Sequence, residues 1–186
     1  MPKITTSCRT ESPLLNTTMM SHGTLTSLDL QASRRFYEEV LGLEVIQVSG
    51  ASMLARRGGT HCYVVVETGK DSTMSMLDHN GIDVATRDEV DRAHEVLTRV
   101  KDEYGIRRIT KVIDQHGGYS FYFVDLDGNW WEVVAVREGG YAADFSDKDW
   151  DLTGRHDVEA QLKTSRKLMH LHDPEVRALV QAAKQS

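Results

Sequence analysis

The chain has 186 residues, 40% of them apolar, which is enough to bury a core and suits one domain with terminal extensions. Acidic residues outnumber basic ones 28 to 22, a formal charge of −6, and no Lys/Arg stripe matches a phosphate backbone, which argues against nucleic acid as a partner. The apolar run 62–66 is far too short to cross a bilayer, residues 1–18 lack the apolar stretch of a signal peptide, and Cys8 and Cys62 make no disulfide framework, so a reducing cytoplasm and no membrane are expected.

Residues 1–18 read as a flexible polar arm or a swapped strand. A vicinity of alternating residues, HGTLTSLD (22–29), then reads as a half-buried strand, and Phe36, Tyr37, Val40 and Leu41 mark a helix that stops at Gly42. Three short β-prone pieces follow, EVIQVS, SMLARR and THCYVVVE, the last two separated by the turn dipeptide Gly58-Gly59.

The same order then recurs. HNGIDVAT (79–86) is a second opening strand, Thr86 with Glu89 forms a capping box, and Val90, Ala93, Leu97, Val100 and Tyr104 lie on one helical stripe ended by Gly105. RRITKVI, GYSFYFVD and NWWEVVAV supply three more strands, the last two joined at Asp127-Gly128. A βαβββ unit therefore occurs twice, with His79 standing 57 residues after His22 in the matching place. The expected fold is α+β: two βαβββ modules, 19–69 and 75–137, form an open barrel-like sheet within a domain at 19–137. A C-terminal helical extension, 138–186, follows it. Its first helical segment carries Val158, Leu162, Ser165 and Met169, and its second opens with Asp173 as N-cap and Pro174 at the first helical position.

Three residues carry the chemistry. His22 and His79 open equivalent strands and Glu132 sits within the closing strand of the second unit. Two imidazoles and one carboxylate suit a divalent metal held on one side, with Fe(II) first and Mn(II), Zn(II) or Ni(II) as further candidates. A single histidine at a strand start is more often a solvated bystander; the repeat equivalence of these two is what singles them out.

SHGTLTSLDLQASRRFYEEVLGLEV resembles the opening of the vicinal oxygen chelate superfamily, which includes glyoxalase I, bleomycin resistance proteins and type I extradiol dioxygenases. Its strand-borne His, the Asp seven residues later, the Phe-Tyr helix and the Leu-Gly-Leu stop match His22, Asp29, Phe36, Tyr37 and 41–43. FYFVDLDGNWWEVV resembles the superfamily's closing strand pair, with Leu126 in place of the usual proline. The resemblance implies metal ligands at His22, His79 and Glu132. Glyoxalase I adds a Glu on the last strand of the first unit, where this chain reads Tyr63-Val64-Val65-Val66 and has Glu67 only at the strand's end.

Three ligands leave three positions for a catecholate and O2, so the leading expectation is an extradiol-type dioxygenase acting on a small catecholic molecule. His116 and Tyr122 resemble that branch's acid/base His and Tyr, at a shorter spacing, and a core aromatic is the plain alternative for Tyr122. A glyoxalase-like isomerase, epimerase or lyase, or a non-catalytic binding protein, are the other readings. Thr24, Asp83 and Trp130 are expected to line the substrate pocket, and a homo-oligomer is expected. Trp131, by strand parity, should pack beneath a helix.

Overall fold

The computed structural model describes residues 14–15, 17–115, 118–136, 138–145 and 173–185, and in it the sequence repeat is a structural one. The first module runs β1 (His22–Ser27), α1 (Leu30–Glu39), β2 (Glu44–Ser49), β3 (Ser52–Arg56) and β4 (Cys62–Glu67). Asp29 caps α1 by accepting a hydrogen bond from the Ala32 amide at 2.7 Å. At the other end Gly42, with φ of 64°, makes the left-handed turn into β2. The sheet order is β1-β4-β3-β2, with β1 parallel to β4 and the other pairs antiparallel.

The second module runs β5 (Asn80–Asp83), α2 (Arg87–Val100), β6 (Arg108–Ile109), β7 (Ile113–Gln115), β8 (Gly118–Val124) and β9 (Trp130–Ala135). The Thr86–Glu89 capping box forms as the sequence predicts. RRITKVI, expected as one strand, is split into β6 and β7. At the split the Thr110 hydroxyl accepts from the Tyr122 amide at 2.9 Å, so a side chain replaces the backbone acceptor and the three residues 110–112 lie outside both strands. Strand order here is β5-β9-β8-β6, with β7 also on β8. Among the described residues two helices follow, α3 (Gly140–Asp144) and α4 (Pro174–Ala183). Asp173 caps α4 as expected, whereas the helix expected over 158–169 lies outside the described residues. No described helix is long and apolar enough to cross a membrane.

Strand parity decides where everything points. Leu25, Val45, Met53, Ala55 and Val65 of the first sheet share one buried core with Phe121, Phe123, Trp131, Val133 and Ala135 of the second, together with Phe36 and Tyr37 of α1 and Val90 and Leu97 of α2. Phe36 meets the Phe123 ring at 6.3 Å and Tyr37 meets Trp131 at 6.0 Å. The helix-bearing faces of both sheets are thus committed to a common core, and the alternate residues of each strand lie on faces turned away from it. The sheets do not close into a barrel within the chain.

A polar turn ties the modules together. Asp125 accepts from the amides of Asp127 and Asn129 and from Trp131 Nε1, each at 2.9 Å. Asp127 reaches across to the first module, accepting from the Leu28 amide at 2.7 Å and Ser33 Oγ at 2.6 Å, while Asn129 Nδ2 donates to the Thr26 carbonyl at 3.0 Å. Burial lifts Asp125 to about 6, partly offset by the Trp131 hydrogen bond, and burial raises Asp127 against its Leu28 and Ser33 donors.

Phe36→Ala should cost about 3–5 kcal/mol in urea unfolding, because a 1%-exposed ring bridging both modules leaves a cavity. Asp125 binds its proton more tightly folded than unfolded, so its stabilising contribution is complete below its ordinary value of 3.8 and is lost as pH rises to about 6. Relative to Asp125→Asn, the native chain should lose stability across that window and then level off. A flat difference would show that Asp125 keeps its ordinary acidity.

Candidate metal centre

Glu132 sits in the middle of β9 on the outer face of the second sheet, opposite Tyr122 of β8 and Gly81 of β5. Its neighbours in sequence, Trp131 and Val133, point into the core, so parity alone turns the carboxylate outward. His79 precedes β5 and follows a 3₁₀ turn at Met76–Asp78. That turn is fixed by Asp78, whose carboxylate accepts from the Ser75 hydroxyl at 2.6 Å and the Ser75 amide at 3.1 Å. The structure brings these two predicted ligands together: His79 Nε2 lies 3.3 Å from Glu132 Oε2, with side chains 28% and 11% exposed.

The other ring nitrogen decides the chemistry. His79 Nδ1 is 2.7 Å from the Met76 carbonyl, which can only accept, so Nδ1 carries a hydrogen and the neutral ring has its lone pair on Nε2. That lone pair faces a carboxylate, an arrangement that needs a cation between them, either a proton or a metal ion. Without a metal the proton takes that place: the Glu132 hydrogen bond, followed by the Met76 carbonyl, raises His79 against its partial burial. Burial pushes Glu132 up, yet hydrogen bonds from His79, Ser120 and Tyr122 outweigh it and hold the carboxyl below its usual range. The donor set therefore fits a divalent ion, and the Nδ1–H to backbone carbonyl contact is the usual support for an imidazole ligand.

Tyr122 accordingly serves Glu132 by a hydrogen bond, and its ring stands edge-on to His79 at 5.0 Å. Trp130 shares the Glu132 face, nearly buried with Met76, Tyr122 and Val124. Asp83 is on the same face, exposed, near the end of β5. Trp131 packs in the core, as its parity requires.

His22 and Thr24 are elsewhere. Both are exposed on the outer face of the first sheet, opposite Cys62 and Val64, and His22 Nδ1 pairs only locally with Ser21 Oγ at 2.8 Å. Since each outer face is turned from the shared core, the structure does not bring His22 to His79 and Glu132 within the chain. Among the described residues no three His, Cys, Asp or Glu side chains gather as an ion site. His116 lies outside the described residues.

The repeat also places the counterpart of Glu132. Gly81 pairs with Glu132 and Thr24, its equivalent, pairs with Val64, so the first module carries valine where the second carries its carboxylate. Glu67 is occupied otherwise, accepting from the Leu30 amide at 2.7 Å. Sequence reasoning missed Ser120, although period two from Tyr122 puts it on the Glu132 face. It also missed the Met76 carbonyl, for which no residue type gives a signal.

The family model of the Glyoxalase/Bleomycin resistance protein/Dioxygenase superfamily matches residues 19–133. No curated protein matches the sequence. Among solved structures, the fosfomycin resistance protein FosX from Listeria monocytogenes, complexed with Mn(II) and sulfate, is 22% identical over 66% of this chain and 93% of its own, with a TM-score of 0.55. A possible glyoxalase from Bacillus cereus is 24% identical over 63% of this chain and 98% of its own, TM-score 0.51. Lactoylglutathione lyase from Agrobacterium tumefaciens is 20% identical over 67% and 98%, TM-score 0.50. These three are likenesses of fold. The family match spans more than half the sequence and takes in both modules with the paired His79 and Glu132, and the chain belongs to the Glyoxalase/Bleomycin resistance protein/Dioxygenase superfamily.

Proposed function

We propose that the chain is a protomer of a divalent-metal enzyme whose ion is held by His79 and Glu132 of one copy and His22 of a second, and which cleaves a small catecholic ring beside its diol with O2. The observation that carries the metal reading is the 3.3 Å approach of His79 Nε2 to Glu132 with Nδ1 committed to a backbone carbonyl. His22 enters from a second copy because its face is turned away from theirs, and the exposed Ile46 and Val48 on that face give a second copy apolar surface to cover. A bound Fe(II) would supply a Lewis acid that chelates two adjacent substrate oxygens and a position for O2. Mn(II), Zn(II) and Ni(II) suit the same donors.

Support for ring cleavage over glyoxalase-type isomerisation comes from Val64, which removes a fourth donor where the second module has Glu132. The chain's own residues then divide the remaining work. Tyr122 and Ser120 orient the carboxylate, Trp130 walls the site, Thr24 of the second copy and Asp83 border the substrate, and His116 is the proton-handling group. Cys62, a free thiol on the His22 face, suits a reducing cytoplasm.

Purified protein loaded anaerobically with Fe(II) should bind about one ion per chain and consume O2 with catechols. Proton exchange into substrate without O2 uptake would replace the ring-cleaving reading by the isomerase one, and metal-free ligand binding by the sequestering one. Glu132→Ala should lose the ion with the fold kept. His22→Ala and His79→Ala should each be inactive alone, yet a mixture exchanged between copies should regain part of the activity, since one site of a mixed dimer retains all three ligands. His116→Phe should keep metal and lower turnover by about 10²–10⁴.

The pairing itself can be checked without metal. Glu132→Gln removes the group that contributes most to raising His79, so its midpoint in an NMR titration should fall. An unmoved midpoint would place the Glu132 carboxylate away from the ring in solution.

A further inference from the structure

The helix α4 lies beyond residues 19–133 that match the family, yet it packs on the face that carries Glu132. Val176 and Val180, each 4% exposed, form one buried cluster with Met76, Tyr122, Val124 and Trp130, with Leu179 against its side. The helix lies directly against the Met76–Asp78 turn. Two members of that cluster are the groups that set the His79 ring: Met76 supplies the carbonyl that accepts from Nδ1 at 2.7 Å, and Tyr122 supplies the ring set edge-on at 5.0 Å.

We propose that α4 is a positioning element for the metal-binding histidine: Val176 and Val180 press the Met76 turn and Tyr122 into the places that fix the tautomer and direction of His79. The inference rests on the reading of His79 as a ligand. Its physical basis is that a three-residue 3₁₀ turn has no ladder of its own. Ser75 and Asp78 close the turn from outside, with Leu77 and Asp78 exposed. The side chain that anchors it to the molecule is Met76, and its burial is completed by α4. An imidazole whose supporting carbonyl can drift loses both its fixed tautomer and its aim, which weakens metal binding by about 10–100-fold in comparable sites. Val176 and Val180 themselves are positioning residues that act through Met76 and Tyr122.

The test uses the full chain carrying Val176→Asp with Val180→Asp, and separately the milder Val180→Ala, with Val180→Ile as the conservative variant. In the metal-free protein, at a pH high enough that the proton between His79 and Glu132 is lost, imidazole nitrogen shifts read the tautomer of the neutral His79 ring directly. The native chain should show a single locked form with the hydrogen on Nδ1, and the Asp variant should show an averaged ring with backbone amide spectra of the two modules otherwise kept. Titration with Mn(II) should show affinity weakened by about 10–100-fold in the Asp variant, less in Val180→Ala, and restored in Val180→Ile. A His79 ring that stays locked in both Val180→Ala and the Asp variant overturns the proposal. If the Asp variant unfolds, Val180→Ala decides it by the same tautomer reading. A native chain that binds no Mn(II), Fe(II), Zn(II) or Ni(II) while its tautomer still depends on α4 would refute the metal reading and leave the positioning intact.

Discussion

Everything about the site follows from where the helix-bearing faces of the two sheets go. Both are committed to one core, joined by aromatic contacts from Phe36 and Tyr37 to Phe123 and Trp131. Burying those rings is the large favourable term, and strand alternation then leaves no freedom over what lies outside. His22 must be on one outer face and Glu132 on the other. A protein that pools its apolar faces in this way gains a single stable core at the cost of separating its donors, and the separation is what makes a second copy part of the proposed chemistry.

The turn from Asp125 to Asn129 shows how the core is aligned as well as filled. Hydrophobic contact is tolerant of sliding, whereas hydrogen bonds from Leu28 and Ser33 to Asp127, and from Asn129 to Thr26, fix the second module against the start of α1 and the end of β1. Asp125 and Asp127 are buried and hydrogen-bonded, and their donors offset part of the desolvation cost that raises both groups.

Most of this was legible because it is periodic. The offset from His22 to His79 reveals the duplication, alternation around Glu132 separates Trp130 from Trp131, and the cap at Thr86 and the Asp173-Pro174 signal each place a helix start that the structure repeats. What was hidden is what periodicity does not encode. Whether two sheets face each other or turn apart depends on long-range packing, so the sequence could pair His22 with Glu132 in pattern without saying that their faces diverge. RRITKVI looks continuous because Thr is a good strand residue; its hydroxyl's capture of the Tyr122 amide is a tertiary event. Val176, Leu179 and Val180 fall at helical spacing on one side of α4, but their target, the turn that holds His79, is a matter of three-dimensional proximity.

Gly81 stands beside Glu132 on the neighbouring strand, and its backbone is not among the left-handed glycines. A methyl group built there would touch nothing within 4 Å. Neither backbone conformation nor crowding therefore requires glycine here: a side chain at this position would extend into open space on the strand beside Glu132.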